Sequence, residues 1–215
     1  MKTIYFVRHG ESESNIGGVI LGGAKTSLTK HGQEQAAFVA ERLSHLAVDV
    51  IIASTYLRTR QTGQIIAEKI AKPIEYSDLF VEWNQGSHRI GKKADDLELG
   101  TQTKTLIEHL KKPNWRMTDE ENFEELNKRA DRALAYLMGR PEEHIVVVGH
   151  GWFSPVLLGK AVMGEDFTGR DCQHFMKAFR MVNTGITIVT HGKAAGKLYS
   201  DEWNIVTWND HAHLG

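Results

Sequence analysis

The stretch Thr3-Ile4-Tyr5-Phe6-Val7-Arg8-His9-Gly10-Glu11 decides the fold of this chain. Its five apolar or β-branched residues lead directly into two cationic side chains and a glycine. A short run without polar alternation is typical of a strand buried on both faces. Such a strand delivers the side chains that follow it to the carboxyl edge of a sheet, where ligands bind in open α/β proteins. Taken alone, these residues fit a solvated strand end equally well.

Strand and helix patterns alternate along the rest of the chain. Buried strands are predicted at 48–53 and 144–149, and a short strand at 74–76. Helices are predicted after an N-cap at Thr29, over 56–71 and over about 152–162. This alternation predicts βαβ units and a mostly parallel sheet. Two later runs, 185–190 and 197–206, predict a hairpin, and the polar residues 210–213 predict a frayed end. A long excursion at about 86–140, with helical stretches at 101–111 and 120–138, is expected to cap the site.

Composition narrows the class of protein. The 215 residues carry a formal net charge of −1, which argues against a nucleic-acid or membrane-surface role driven by bulk charge. Cys172 is the only cysteine, so neither an intrachain disulfide nor a multi-cysteine zinc site is available. No signal-peptide pattern and no apolar run of membrane-spanning length is present. We expect a cytoplasmic protein.

Four cationic or titratable side chains follow predicted strands. Arg8, His9 and His150 come directly after strands, and Arg58 lies in the first turn of the helix that follows one. In a parallel sheet all four meet at one edge, where they repel one another unless an anion lies among them. Arginine donors and helix N-termini both suit phosphate oxygens. The sequence therefore predicts a phosphoryl site at this edge.

Histidine adds the possibility of covalent chemistry. A neutral imidazole nitrogen is a nucleophile, and a covalent intermediate divides a difficult transfer into two easier steps. The leaving alcohol then needs a proton, which a nearby carboxyl group could supply before activating water. Glu82, in the loop after the third strand, is the first candidate for this role. Glu11 is the second candidate. It ranks lower because it lies directly after the strand that carries His9, where shaping the loop explains it equally well.

Several ordered segments together resemble the histidine phosphatase superfamily, in its phosphoglycerate-mutase-like branch. The segments run in the family's order: Arg8-His9-Gly10-Glu11-Ser12 with Asn15; Leu28-Thr29-x-x-Gly32-x-x-Gln35-Ala36; Ser54-x-x-x-Arg58-x-x-Gln61-Thr62; Leu79-x-x-Glu82 with Gly86; Val148-Gly149-His150-Gly151; and Asn183-Thr184. The resemblance implies a three-layer α/β/α sandwich, formed by residues 1–215 as a single domain. It implies no metal ion and no organic cofactor.

The resemblance also implies roles by position. Arg8, Arg58 and His150 would bind the phosphoryl oxygens and stabilise transition-state charge. Asn15 and the backbone at Gly151 would add hydrogen bonds to the same group.

The two remaining roles concern proton and phosphoryl transfer. His9 would become a phosphohistidine, and Glu82 would act first as acid and then as base. The resemblance therefore implies an enzyme that works on a small phosphorylated substrate.

The segment after Glu82 departs from the pattern of the cofactor-dependent mutases. Those enzymes carry a basic, tyrosine-containing segment there, whereas this chain has Trp83-Asn84-Gln85-Gly86-Ser87-His88-Arg89-Ile90-Gly91. We therefore expect a metal-independent hydrolase of phosphomonoesters of small metabolites. A phosphoglycerate mutase and a non-catalytic module that binds phosphorylated ligands are the alternatives.

The residues that would contact the leaving group are the least determined. Trp83, His88, Arg89 and Trp152 are candidates for the substrate pocket, although ordinary packing explains them as well. Partners other than a small phosphorylated substrate are not indicated. A homodimer formed through an edge strand remains possible.

Overall fold

A mixed sheet forms the centre of the structure, a computed structural model that describes residues 1–20, 24–192 and 203–215. Within these residues the sheet has six strands in the order β3-β2-β4-β1-β5-β6. The strands are β1 (Lys2–Arg8), β2 (Val50–Ala53), β3 (Ile74–Tyr76), β4 (His144–Gly149), β5 (Ile186–His191) and β6 (Trp203–Asp210).

Parallel pairing joins the four strands that position the site. β1 runs parallel to β4, and β2 runs parallel to both β4 and β3. β5 is antiparallel to β1, and β6 is antiparallel to β5. The prediction of a mostly parallel sheet is confirmed. The predicted strand at 197–206 is partly wrong, because β6 continues to Asp210; residues 197–202 lie outside the described residues.

Helices cover both faces of the sheet. They are α1 (Lys30–Ser44), α2 (Leu57–Ile70), α3 (Leu97–His109), α4 (Phe123–Met138), α5 (Phe153–Met163) and α6 (Gly169–Ala178). The side chains of β1 alternate between the two layers. Tyr5 and Val7 pack in the cluster with α1 and α2, whereas Ile4 and Phe6 pack in the cluster with α4, α5 and α6. This arrangement is the three-layer α/β/α sandwich that the resemblance implied.

Two local expectations are corrected. Helix α6 was not predicted, although Thr168 and Asp171 form a capping box at its start. The frayed end is also wrong. Asp210 forms an ion pair with Arg42, and His213 Nε2 lies 3.2 Å from Thr184 Oγ1, so the last residues are tied to the body of the protein.

The long excursion divides into two parts with different surroundings. Helix α4 packs against α5, and its Leu126, Ala130 and Leu137 belong to the main core. The earlier part, by contrast, pairs with the loop after β1. Ile20 N donates to Lys92 O at 2.9 Å, and Gly91 N donates to Ile20 O at 2.8 Å. None of the helices in the described ranges combines the length and apolar character needed to cross a bilayer.

Candidate active site

His9 and His150 lie side by side at the carboxyl edge of the sheet. They follow β1 and β4, which are neighbours in parallel register, and His9 N donates to Gly149 O at 3.1 Å. Their ring centroids are 5.3 Å apart, and both side chains are buried. The guanidinium of Arg58, from the first turn of α2, donates to both rings. Three of the four predicted side chains thus form one buried network.

The contacts of His9 fix which of its nitrogens carries the proton. Nδ1 lies 2.7 Å from Gly10 O, and since a carbonyl only accepts, Nδ1 is the protonated nitrogen. Nε2 accepts a hydrogen bond from Arg58 Nε at 3.0 Å. Burial, followed by the charges of Arg58 and Arg8, holds the pKa of His9 well below its ordinary 6.5. At neutral pH His9 is a neutral imidazole with its Nε2 lone pair at the cavity.

His150 is held as the opposite tautomer. Its Nδ1 lies 3.0 Å from Arg58 Nη2, and since a guanidinium only donates, Nδ1 is the acceptor. Nε2 then donates to Ser54 Oγ at 2.9 Å. Burial and the charge of Arg58 hold the pKa of His150 well below 6.5 as well. Ser54 opens one of the segments quoted from the sequence but was given no role in the site, although it directly follows β2 as His9 and His150 follow their strands.

Arg8 approaches the same centre from the other side. Its Nη1 donates to Met181 O at 2.5 Å, whereas its buried Nε has no hydrogen-bond partner in the described part of the chain. A Cβ built on Gly151 would lie 3.2 Å from this Nε, so a glycine here lets Arg8 lie close to the backbone. A buried guanidinium nitrogen without an acceptor suits an anionic ligand.

Glu82 caps the start of α5. Its Oε1 accepts from the backbone N–H of Trp83 and of Phe153, both at 2.9 Å, and from that of Trp152 at 3.2 Å. Its Oε2 lies 3.2 Å from Trp152 N as well. The carboxylate therefore lies at the positive end of the helix dipole and beside the cationic network.

Asn15 and Asn183 shape the loop after β1. Asn15 Oδ1 accepts from Ser12 N at 3.0 Å and from Ser12 Oγ at 2.9 Å, which turns its amide nitrogen away from Ser12. Asn183 Nδ2 donates to His9 O at 2.9 Å. The loop that follows His9 is thus fixed by side-chain amides.

One cavity of about 530 Å³ is lined by Arg8, His9, Asn15, Arg58 and Glu82 among others. We call its inner end the floor, formed by Arg8, His9, Arg58 and Glu82 with His150 behind Arg58. We call its outer end the roof, formed by residues 83–94 with Ile20. The volume lies in the range of sites for small molecules.

Most predicted site residues lie on this wall. They are Arg8, His9, Asn15, Arg58, Glu82, Trp83, Arg89, Gly151 and Trp152. His88 does not line the cavity. Its ring nitrogens instead contact Gln102 Oε1 at 2.9 Å and Thr118 Oγ1 at 3.2 Å.

Several wall residues were not predicted. Tyr56 lies with its ring centroid 5.2 Å from that of His150, and Gln85, Asp119, Arg180 and Met181 also line the cavity. Tyr56 lies next to Arg58 in the turn between β2 and α2, so its position was a usable signal. The others come from loops, where no periodic pattern indicates which way a side chain points.

No group of three His, Cys, Asp or Glu side chains among the described residues is arranged to hold a metal ion. The guanidiniums of Arg8 and Arg58 at the floor are donors suited to a phosphoryl group.

Comparisons with known proteins bear on the family and the fold of the chain. The family model of the histidine phosphatase superfamily (branch 1) matches residues 4–211. A probable phosphoglycerate mutase of Erwinia tasmaniensis is 28% identical, with 100% of this chain and 95% of the relative covered. An uncharacterized phosphatase of Bacillus subtilis is 26% identical, with 100% and 97% covered. A mycobacterial glucosyl-3-phosphoglycerate phosphatase structure superposes with a TM-score of 0.78 at 19% identity, covering 98% of this chain and 100% of that one.

Proposed function

The chain belongs to the histidine phosphatase superfamily, and on that premise we propose that it hydrolyses phosphomonoesters of small metabolites through a phosphohistidine at His9. One observation carries the proposal. The Nδ1 of His9 is committed to Gly10 O, so the Nε2 lone pair lies at the cavity floor beside two guanidiniums. A neutral imidazole nitrogen beside phosphate-binding donors is equipped to attack phosphorus.

In the first half-reaction a phosphoryl group binds at the floor. The Arg58 donor turns from His9 Nε2 to a phosphoryl oxygen, and the buried Nε of Arg8 finds an acceptor. The Nε2–P bond then forms as the ester P–O bond breaks. Glu82 takes up a proton as the anionic substrate binds beside it and gives that proton to the departing oxygen. The two guanidiniums stabilise the charge on the equatorial oxygens.

In the second half-reaction water replaces the alcohol. The Glu82 carboxylate takes a proton from water as its oxygen attacks phosphorus, and the Nε2–P bond breaks. Inorganic phosphate and neutral His9 result, with Glu82 again protonated. No step needs a metal ion or an organic cofactor.

Trapping the intermediate tests this proposal directly. Rapid quench of the enzyme and a ³²P-labelled aryl phosphate into base should yield a label on His9 that is stable in base and is lost when the quenched protein is acidified. The variant His9→Asn should carry none. Label absent from wild-type enzyme during turnover would overturn the covalent route. A protein that binds inorganic phosphate without turnover would instead be the non-catalytic module.

Leaving-group dependence tests the role of Glu82. We expect Glu82→Gln to lower kcat/KM by about 10²-fold for an alkyl phosphate such as 2-glycerophosphate, because that alkoxide needs a proton. For 4-nitrophenyl phosphate, whose leaving group needs no proton, the loss should be below about threefold. Since kcat/KM covers steps only through phosphoenzyme formation, the later role as base does not obscure the comparison.

A mutase is the second candidate, favoured by the name of the Erwinia relative. A mutase returns the phosphoryl group to a phosphoglycerate, whereas a hydrolase releases it to water. Interconversion of 2- and 3-phosphoglycerate that depends on 2,3-bisphosphoglycerate, and outpaces phosphate release, would establish the mutase. A rate of phosphate release that does not change when 2,3-bisphosphoglycerate is added would establish the hydrolase.

The substrate is expected to be a small phosphorylated metabolite, because a cavity of about 530 Å³ encloses a molecule of that size. We propose that residues 1–215 form one domain and that the insertion at about 86–140 contributes the roof. A screen of phosphate release from sugar phosphates, nucleotides and phosphorylated acids would identify the substrate. A homodimer through an edge strand stays a prediction, to be tested by light scattering.

A further inference from the structure

The segment that carries Glu82 is held on both sides by one ion pair outside the floor. Arg129, on α4, and Glu121, just before that helix, form a two-pronged pair. Arg129 Nε lies 2.8 Å from Glu121 Oε1, and Arg129 Nη2 lies 2.8 Å from Glu121 Oε2. The two side chains are only 11% and 21% exposed. A bidentate, mostly buried pair fixes the direction of both side chains.

Arg129 holds the chain before Glu82. Its Nη1 donates to Val81 O at 2.8 Å and to Leu79 O at 3.3 Å. Its guanidinium carbon also lies 3.6 Å from the centroid of the Phe153 ring. The backbone N–H of Phe153 is one of the donors to the Glu82 carboxylate. Arg129 therefore contacts both the backbone that carries Glu82 and the residue that holds its carboxylate.

Glu121 holds the chain after Glu82. Its Oε2 accepts from Asn84 N at 3.0 Å, and its own N–H donates to Asn84 O at 2.9 Å. Its carbonyl accepts from Trp83 Nε1 at 2.9 Å. The residues on both sides of Glu82 are thus tied to one ion pair.

We propose that the Arg129–Glu121 pair is a positioning device that sets Glu82 for proton transfer to the leaving group. The proposal rests on the proposed function, in which Glu82 is the acid. Neither residue of the pair lines the cavity, so neither contacts the substrate. Proton transfer tolerates little displacement, since a shift of about 1 Å at a reacting group can lower a rate 10²-fold. A lysine cannot replace this arginine, because it lacks the planar fork that engages two carboxylate oxygens and two carbonyls.

The test compares Arg129→Lys with wild type by kcat/KM on the two substrates used for Glu82. We expect at least a tenfold loss on 2-glycerophosphate and less than threefold on 4-nitrophenyl phosphate. Glu121→Gln removes the charge from the other side and should show the same selectivity. Arg132→Lys, on the exposed side of the same helix, is the matched control and should match wild type on both.

A double-mutant cycle separates positioning from a merely structural role. In the Glu82→Gln background there is no acid left to position, so Arg129→Lys should then cost less than threefold on 2-glycerophosphate. An equal loss on both substrates, or an undiminished loss in that background, would overturn the proposal. If Arg129→Lys does not fold, Glu121→Gln serves in the same cycle. If Glu82→Gln itself lacks leaving-group selectivity, the role of Glu82 fails first, and the two failures are distinguishable.

Discussion

The floor of the cavity and its roof are held by different kinds of contact. At the floor, buried side chains bond to one another in a line: His9 to Arg58 at 3.0 Å, Arg58 to His150 at 3.0 Å, and His150 to Ser54 at 2.9 Å. At the roof, two loops pair through backbone groups, and Ile90 remains 57% exposed.

This difference matches the demands on the two ends. In the proposed function the floor receives the phosphoryl group, which has the same shape in every phosphomonoester, so a rigid network on strand ends suits it. The roof would then receive the leaving group, which differs among substrates. Loops can change sequence without disturbing the sheet, so they are suited to setting specificity. We therefore expect substitutions at the floor to affect every substrate and those at the roof to discriminate among substrates.

Removing the nucleophile should have the largest effect. His9→Ala should lower kcat/KM by at least about 10⁴-fold for every phosphomonoester, because no other group can form the covalent intermediate. His88→Ala, a roof histidine away from the cavity wall, should stay within about threefold of wild type. Phosphate release measures both. More than 1% residual activity in His9→Ala would contradict the assignment.

Removing the central cation should follow. Arg58→Ala takes away the donor to both imidazoles and one of the charges that faces the phosphoryl group, so kcat/KM should fall by about 10²- to 10³-fold. Arg60→Ala is the matched control on the same helix, since its guanidinium lies 4.1 Å from the ring centroid of Tyr76, away from the floor. If Arg58→Ala lowered kcat/KM for only one class of substrate, the proposed distinction between floor and roof would be wrong.

The floor should also make stability depend on pH. His9 and His150 have pKa values well below 6.5 in the folded protein, so below pH 6.5 the unfolded chain binds more protons than the folded one. The free energy of unfolding should therefore fall as pH is lowered from 6.5, by up to about 1.4 kcal/mol per histidine per pH unit. Burial also lowers the pKa of His213, so this residue adds to the dependence of the unfolding free energy on pH.

Urea unfolding at pH 7.5, 6.5 and 5.5 measures this slope, in a window above the titration of most carboxylates. His150→Gln should make the slope shallower by the share of one histidine. A slope that does not change in this variant would show that His150 is not buried in its neutral form.

A roof substitution should have the smallest effect, and a selective one. The buried Nε2 of Gln85 lacks a partner among the described residues, and Gln85 lines the cavity. Gln85→Ala should raise KM about fivefold for substrates with an acceptor in the leaving group, since one hydrogen bond contributes about 1 kcal/mol. It should leave kcat for 4-nitrophenyl phosphate unchanged, and Gln64→Ala, outside the cavity, should change neither. If Gln85→Ala lowered kcat/KM equally for all substrates, Gln85 would act on the phosphoryl group as the floor residues do.

The sequence predicted the floor because strand burial leaves a clear pattern. Apolar runs that end in Arg8-His9 and in His150 predicted both the strands of the sheet and the edge at which they end. A parallel sheet brings such strand ends together. The roof left no such pattern. His88 was expected in the pocket, but a short 3-10 turn at Ser87–Arg89 directs it to Gln102 and Thr118 instead.

Other omissions had signals that could be used. Helix α6 begins at a Thr168–Asp171 capping box, and Cys172 and Met176 form a buried stripe at helical spacing. Ser54 follows β2 as His9 follows β1, so the same rule would have found it. The Arg129–Glu121 pair could not be found in this way, because its partners are backbone groups of a loop.

The place of β1 in the sheet has a consequence for biosynthesis. Among the described strands β1 is synthesised before the others, and its neighbours β4 and β5 follow more than a hundred residues later. Asn183, which holds the carbonyl of His9, is separated from it by 174 positions. During translation His9 therefore lies on an apolar strand whose two neighbours have not yet been made, and the proposed phosphate site is incomplete until Asn183 has been synthesised. Pairing over such sequence distances also slows folding. His9, the proposed nucleophile, is thus among the first functional groups to be synthesised and among the last to reach its working environment.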